Sequence, residues 1–338
     1  MSMFNWMVCA VVIGAAGVSA ASATEQKMES SSSTPFVSHE LTVPSPLGPL
    51  PATLVVPKGA GPFPAVLLVA GSGPNDRDET VGPNKPFLDL AQGLAAAGIA
   101  SLRYDKRTRV YGKEIVGKDI TIDDEVTDDA LSALQVLGRQ PSIDSHRLFV
   151  VGHSLGAVMA PRIGQRDPHL AGIVLMSGSP QFGIDTIVRQ ARYIGSLQGV
   201  PPAEMDAKLA PLLKAHEELA HADPKHPPSG NFVGAPASYW LSLRDYDGAA
   251  TAKALRQPML IMQGSNDYQV TPKDDFSRWQ ATFAHDPRVK LVEYPGLGHL
   301  YMPAGNPPSP ADYDKAGHVD TRVIQDLAEW IKAQRASP

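Results

Sequence analysis

The stretch FVVGHSLGAVM, Phe149 to Met159, sets one serine, Ser154, between Gly152 and Gly156, where an apolar run stops and a helix-like pattern begins. A serine hydroxyl is a weak nucleophile until a base takes its proton. It must also be presented to the substrate. A sharp strand-to-helix turn does this, but it strains the backbone and leaves no room for neighbouring side chains, so glycine is needed on either side. Gly-x-Ser-x-Gly between a strand and a helix therefore reads as a nucleophile elbow, and it occurs once in this chain. The start of the helix also favours negative charge developing nearby. The plainer reading is an ordinary glycine-rich turn, which the flanking strand and helix patterns disfavour.

An elbow of this kind calls for partners in the order serine, acid, histidine. His299 lies in YPGLGHLY, just after the last expected strand, and Asp267 lies in MQGSNDYQV, just after the strand before it. Both would project from strand C-terminal ends, on the same edge as Ser154. His299 would act as general base and then general acid, with Asp267 fixing its tautomer and stabilising the imidazolium. Taken singly, a loop histidine is often solvated, and an Asp after Gly-Ser-Asn often caps a turn. Glu293, within a strand, and Asp274, beyond a helix-starting proline, are the weaker acids. The oxyanion of acyl transfer needs two backbone N–H donors. Leu155, directly after the nucleophile, is expected to supply one. Ser72, in the GSGPNDRDE loop after the AVLLVAG run, is expected to supply the other, with Gly73 as the second choice; a plain Gly/Pro turn is the alternative.

The elements that must position these residues alternate along the chain. FVSHELTV and PATLVVP read as a hairpin. AVLLVAG (65–71) is a continuous apolar run, as expected of a strand buried on both faces. Further strands are expected at IASLRY (99–104), RLFVVG (147–152), AGIVLMSG (171–178), PMLIMQG (258–264) and KLVEY (290–294). Helices are expected at 85–98, at 123–138 with acids at its N-terminal end, from about Leu155, and at 318–334. This alternation predicts an α/β fold with a mostly parallel sheet and helices on both faces. Residues 180–256 carry two helix-like stretches and no sheet-type strand. They read as a helical cap over the strands' C-terminal ends, where open α/β sheets bind ligands. Tyr239 and Trp240 could line an acyl or alcohol pocket from that cap, or pack in its core.

The 338 residues, 43% apolar and 19% charged, suit a globular fold with a sizeable core. A net charge of −5 offers no basic stripe for nucleic acid. The first residues read as a signal peptide (1–23). The uncharged run Val8–Ala21 is shorter than the roughly 20 residues of a membrane span, and Ala21-Ser22-Ala23 is a small-residue cleavage site. The expectation is an exported chain, periplasmic or secreted, with no membrane span after cleavage; an uncleaved N-terminal anchor is the alternative. Residues 24–36 read as a flexible linker and 37–336 as the folded domain, with the cap at about 180–256. Cys9, the only cysteine, falls inside the signal, which excludes a mature disulfide, a cysteine metal site and a Cys nucleophile.

Three further features are weaker. In HEELAH (216–221) the histidines are five apart, about 140° round a helix, so they cannot share a metal, and a solvated helix face is read there. The basic stretch YDKRTRVYGK (104–113) reads as a solvated loop near the acidic DDEVTDD helix, with contact to an anionic substrate group as the alternative. Arg77 in NDRD either braces its loop through a carboxylate pair or belongs to a solvated charge cluster.

GHSLG, the order Ser154, Asp267, His299, and AGSGPNDRDE together resemble the α/β-hydrolase superfamily over about residues 37–336. More narrowly, the chain resembles bacterial serine carboxylesterases with a Gly-Ser-Gly-Pro-x-Asp-Arg-Asp oxyanion loop; KPFLDLA and LRYDKR point to that subgroup. The resemblance implies Ser154 as nucleophile, Asp267 and His299 as its partners, and Ser72 and Leu155 as the oxyanion hole. It also implies hydrolysis of short-chain acyl esters, small-molecule substrates, without a cofactor or metal. The chain departs from the subgroup at Leu155 and Ala157, where Glu and Gly are usual, and at Lys106-Arg107-Thr108-Arg109, where a Gly-rich run is usual. These changes leave the mechanism intact and bear on substrate preference. Peptidase or thioesterase chemistry fits the same three residues, because acyl transfer is common to all, and a non-catalytic binding scaffold is the remaining alternative. The sequence does not set the oligomeric state.

Overall fold

The computed structural model describes residues 34–336. The expected signal peptide, Cys9, and the linker up to residue 33 lie outside the described residues. The first strand, β1 (Phe36–Val43), pairs antiparallel with β2 (Leu50–Pro57), the expected hairpin. Then follow β3 (Phe63–Val69), β4 (Ala100–Tyr104), β5 (Ile143–His153), β6 (Gly172–Met176), a small cap hairpin of β7 (Asn231–Phe232) and β8 (Ala235–Pro236), β9 (Met259–Gly264) and β10 (Val289–Tyr294). The main sheet runs in the order β1-β2-β4-β3-β5-β6-β9-β10. Its first two pairings are antiparallel and all later ones are parallel.

The parallel strands are apolar on both faces because helices cover both. One core layer takes Leu67, Val69, Val150, Leu175 and Ile261 against α2 (Asp128–Gly138) and α3 (Leu155–Arg166). The other takes Val66, Leu68, Phe149, Val151, Val174 and Leu260 against α1 (Pro86–Ala96) and, at the chain's end, residues 321–333. Burying each such side chain contributes roughly 1.5–3 kcal/mol relative to exposure, so the alternation along β3 and β5 fixes their register. A π-helical turn, Asp123–Thr127, leads into α2.

Between β6 and β9 the chain forms α4 (Ile184–Leu197), α5 (Pro202–His221), the β7–β8 hairpin, α6 (Ala237–Arg244) and α7 (Gly248–Ala254). In α5, His216 and His221 are both exposed. After β9 come α8 (Ser277–Thr282), β10 and the closing helix α9 (Thr321–Ala333). No helix of the described residues is long and apolar enough to cross a membrane.

Candidate active site

Register puts the ends of five neighbouring strands at one edge. Val69 of β3 lies opposite Gly152 of β5, His153 opposite Met176 of β6, and Gly264 of β9 opposite Tyr294 of β10. The loops leaving β3, β5, β9 and β10 at this edge carry Ser72, Ser154, Asp267 and His299.

Ser154 sits at φ 53° and ψ −118°, between β5 and α3. For a residue with a side chain this conformation costs on the order of 1–3 kcal/mol. Within residues 148–161, Ser154 is the one residue that is not buried. The flanking glycines are required by close approach: a Cβ on Gly152 would lie 2.2 Å from Gly156 O, and one on Gly156 would lie 2.1 Å from Val69 O. The elbow therefore presses directly on the end of β3, where the Ser72 loop begins.

Asp267 and His299 are both buried, and the Asp267 side chain has no exposed surface. His299 Nδ1 lies 2.7 Å from Asp267 Oδ2. The other oxygen, Oδ1, accepts the N–H groups of Gln269 (2.8 Å) and Val270 (3.0 Å). Asp267 thus caps its own turn and also pairs with the histidine. Asp274 pairs with Thr271 instead, and Glu293 is exposed on β10. His299 comes beside the elbow through His153: the two rings have centroids 4.7 Å apart, and His153 Nε2 lies 2.9 Å from His299 O. Among the described residues no hydrogen bond joins Ser154 Oγ to His299, whose polar contacts are Asp267 through Nδ1 and His153 through its carbonyl.

The Ser72 loop is held at nearly every backbone polar group. Gly71 N–H donates to Glu79 Oε1 (2.6 Å) and Gly73 N–H to Glu125 Oε1 (3.3 Å). Gly71 O accepts from Lys106 Nζ (2.6 Å) and Asn75 Nδ2 (3.0 Å), Ser72 O from Asn75 Nδ2 (3.0 Å), and Gly73 O from Thr108 Oγ1 (3.2 Å). Among the described residues, Ser72 N–H is the one backbone donor of residues 71–73 without an acceptor. Between the two candidates the network therefore favours Ser72 over Gly73 as an available donor. Leu155 opens α3, and the first N–H groups of a helix lack intrahelical acceptors.

Charges around this loop are structural. Lys106 Nζ also donates to Glu125 Oε1 at 2.6 Å, and both side chains are buried. Arg107 makes a two-point contact with Asp129 at 2.9 and 2.6 Å. Residues 106 and 107 are thus buried and paired, a correction to the solvated-loop reading of 104–113; the carboxylates that hold them, Glu125 and Asp129, come from the acidic segment following. Arg77 meets Asp105 through Nε (3.1 Å) and Nη2 (3.2 Å), and Glu40 through Nη1 (2.6 Å). Of the two readings of NDRD, the brace is the one observed.

Tyr239 and Trp240, the possible pocket residues, lie on α6 in the core, each 6% exposed. Burial and the neighbouring Glu125 charge raise the pKa of the Tyr239 hydroxyl well above the ordinary value. Trp240 Nε1 donates to Phe232 O, and its ring stacks with Phe182. Neither residue lines the cleft of about 380 Å³ next to Asp267, whose walls include Arg189, Tyr193, Tyr268, Asn306 and Pro308. The sequence assigns no site role to Glu79, His153, Lys106 or Glu125. Their signal there is a polar residue in a turn, at a strand end or at a helix start, which a solvated surface gives equally well. No group of three or more His, Cys, Asp or Glu among the described residues is placed to hold a metal ion.

A family profile described as "Alpha/beta hydrolase family" matches residues 66–313. Esterase EstD of Thermotoga maritima is 40% identical over 293 residues, covering 86% of this chain and 64% of that protein. The chain thus spans less than two thirds of that esterase's length. Polyketide transferase ATR5 of Stachybotrys chlorohalonatus is 29% identical over 128 residues, 35% of this chain and 43% of that one. Among solved structures, Est1E from Butyrivibrio proteoclasticus with ferulic acid bound superposes with a TM-score of 0.56 at 16% identity, covering 87% of this chain and 98% of that one. The 2,6-dihydroxy-pseudo-oxynicotine hydrolase gives a TM-score of 0.54 at 18% identity, covering 90% and 71%. At these identities the two structures speak to the fold.

Proposed function

The chain belongs to the alpha/beta hydrolase family, and from that premise we propose that it is a serine carboxylesterase acting through Ser154, His299 and Asp267. Ser154 Oγ attacks the ester carbonyl while His299 Nε2 takes its proton. Asp267 holds Nδ1–H and stabilises the imidazolium. The oxyanion that forms accepts hydrogen bonds from Ser72 N–H and Leu155 N–H. As the tetrahedral species collapses, the C–O bond to the alcohol breaks and His299 returns the proton to the departing oxygen, leaving an acyl-enzyme. Water then loses a proton to His299 and attacks the acyl carbon; the bond from that carbon to Ser154 Oγ breaks, His299 returns the proton to Oγ, and the acid is released.

The single observation that carries this reading is the strained, half-buried Ser154 at the edge where the buried His299–Asp267 pair (2.7 Å) also sits. The likeness to EstD supports ester rather than amide or thioester substrates. The oxyanion loop GSGPNDRD supports membership of the carboxylesterase subgroup. Small acyl esters are the proposed substrates. The N-terminal apolar run and the site after Ala23 support export, and the mature chain would start at Thr24.

The test is turnover of p-nitrophenyl esters of increasing acyl length, with Ser154→Ala alongside. Turnover that peaks at short acyl chains and vanishes in the variant is expected. Full activity in Ser154→Ala would end the assignment, and matched amide and thioester substrates separate the rival chemistries on the same residues.

A further inference from the structure

Behind the nucleophile lies a buried pair that acyl transfer does not itself use. His153 directly precedes Ser154, and Glu79 closes the loop that carries Ser72; their side chains are 6% and 4% exposed. Glu79 Oε1 accepts Gly71 N–H at 2.6 Å and faces His153 Nδ1 at 2.9 Å. The other ring nitrogen, Nε2, lies 2.9 Å from the backbone oxygen of His299. Three loops at the strand ends are therefore joined by one chain of contacts running Gly71, Glu79, His153, His299.

Donor and acceptor inventory fixes the protons in this chain. A carbonyl oxygen only accepts, so His153 Nε2 carries hydrogen. Glu79 Oε1 already accepts from Gly71, and its approach to Nδ1 requires one proton between them. That proton rests either on the imidazole, giving an imidazolium beside a carboxylate, or on the carboxyl. Glu79 Oε2 is buried without a partner, so this side chain's hydrogen bonding is all made at Oε1. The charged and titratable groups facing His153 are Glu79, His299 and Asp267, and Phe87 packs edge-on at 6.5 Å. Burial works against the imidazolium. The Glu79 charge and hydrogen bond, the His299 carbonyl and the Asp267 charge outweigh it, and the pKa of His153 stands above its ordinary value.

We propose that Glu79 and His153 are a positioning pair which, by sharing one proton, locks the Ser72 loop to the His299 loop across the elbow that carries Ser154. The kinetic consequences rest on the esterase reading; the proton inventory does not. Because the histidine's pKa is raised on folding, the lock is fully formed below the ordinary histidine value and opens as pH rises through the raised one. Once the shared proton is gone, a carboxylate faces the Nδ1 lone pair, and one link of the chain is lost. The mechanism alone gives a rate that climbs with pH to a plateau, because a general base must be neutral to act. The lock adds a decline on the alkaline side.

Glu79→Gln removes the shared proton while keeping size and an acceptor for Gly71. His153 then has one N–H for two acceptors. The expected result is a kcat about 10–100-fold lower, a KM changed by less than about threefold because the substrate's own contacts remain, and no alkaline decline. A variant whose pH profile superimposes on that of the unaltered protein would overturn the proposal, whatever its absolute rate. A second measurement needs no substrate: nitrogen-15 histidine NMR of the unaltered protein between about pH 6 and 9, with His153 assigned by the signal missing in His153→Asn. A proton on Nε2 throughout, with an Nδ1 signal that changes as the shared proton leaves, is expected; an unprotonated Nε2, or an Nδ1 signal that does not respond to pH, overturns the lock. Should the protein turn over no ester, the esterase reading fails on that result, and the spectrum still decides the pair.

Discussion

Replacing Gly156 with alanine tests whether the elbow is built by close packing of backbone. The added methyl would lie 2.1 Å from Val69 O, 2.8 Å from Val69 C and 2.9 Å from Ala70 O. An ordinary C···O approach is about 3.3 Å, so backbone must move by roughly 1 Å. No flexible side chain can yield instead, because all three are backbone atoms of Val69 and Ala70, at and just past the end of β3. Overpacking of this kind costs about 1–3 kcal/mol, and the rigid contact argues for the upper part of that range. The same shift separates α3, with Leu155 N–H at its start, from the Ser72 loop. A misplacement of about 1 Å at a reacting centre costs about 100-fold in rate. The assay is kcat for p-nitrophenyl acetate, paired with urea unfolding. Gly112→Ala serves as the control, since a Cβ there meets nothing within 4 Å; its stability should stay within about 0.5 kcal/mol. A Gly156→Ala protein with unaltered rate and unfolding midpoint would refute the packing argument.

Asp267→Asn leaves His299 without the carboxylate that selects its tautomer, and kcat should fall about 10⁴-fold with folding retained; stopped-assay kinetics against circular dichroism check both. Lys106→Met strands the buried Glu125 carboxylate and leaves Gly71 O with Asn75 Nδ2 as its remaining donor. A loss of about 3–5 kcal/mol is expected, read by urea denaturation, and Lys106→Met with Glu125→Gln together should recover part of it. At Asp78, burial raises the carboxyl pKa, but the hydrogen bonds and charges of Arg103 and Lys85 outweigh it, and the net value lies below 3.8. A depressed carboxyl stabilises the fold above its unfolded value, and that stabilisation is lost as pH falls through the folded one. Unfolding midpoints of Asp78→Asn should therefore lose less than those of the unaltered protein as pH falls below about 4.

The fold was legible because its strands advertise burial. AVLLVAG and PMLIMQG are continuous apolar runs, and the observed β3 (Phe63–Val69) and β9 (Met259–Gly264) overlap them. Each run stops at the edge where a loop must turn. Gly152 and Gly156 could be read as steric necessities in advance, and the 2.2 and 2.1 Å approaches give the reason. What sequence could not supply was which charges are buried. Lys106 in YDKRTRVYGK and Arg77 in NDRD look alike on paper, yet the first is 3% exposed beneath the Ser72 loop while Arg77 lies nearer the surface. The partner that decides this, Glu125, lies nineteen residues away in a segment read only as a helix start. Glu79 and His153 were hidden for the same reason, their meeting being set by the register of β3 and β5. Tyr239 and Trp240 had two readings with one residue pattern, since an aromatic pair on a cap helix looks the same whether it faces a ligand or a core.

The central claim is that Ser154 takes the acyl group. The direct measurement is acid quenching during turnover of p-nitrophenyl acetate, followed by mass mapping of the digested protein. One acetyl group on the peptide containing Ser154, absent in Ser154→Ala, is the predicted result. Turnover with no acylated Ser154 peptide, or acylation at another residue that survives Ser154→Ala, would contradict it.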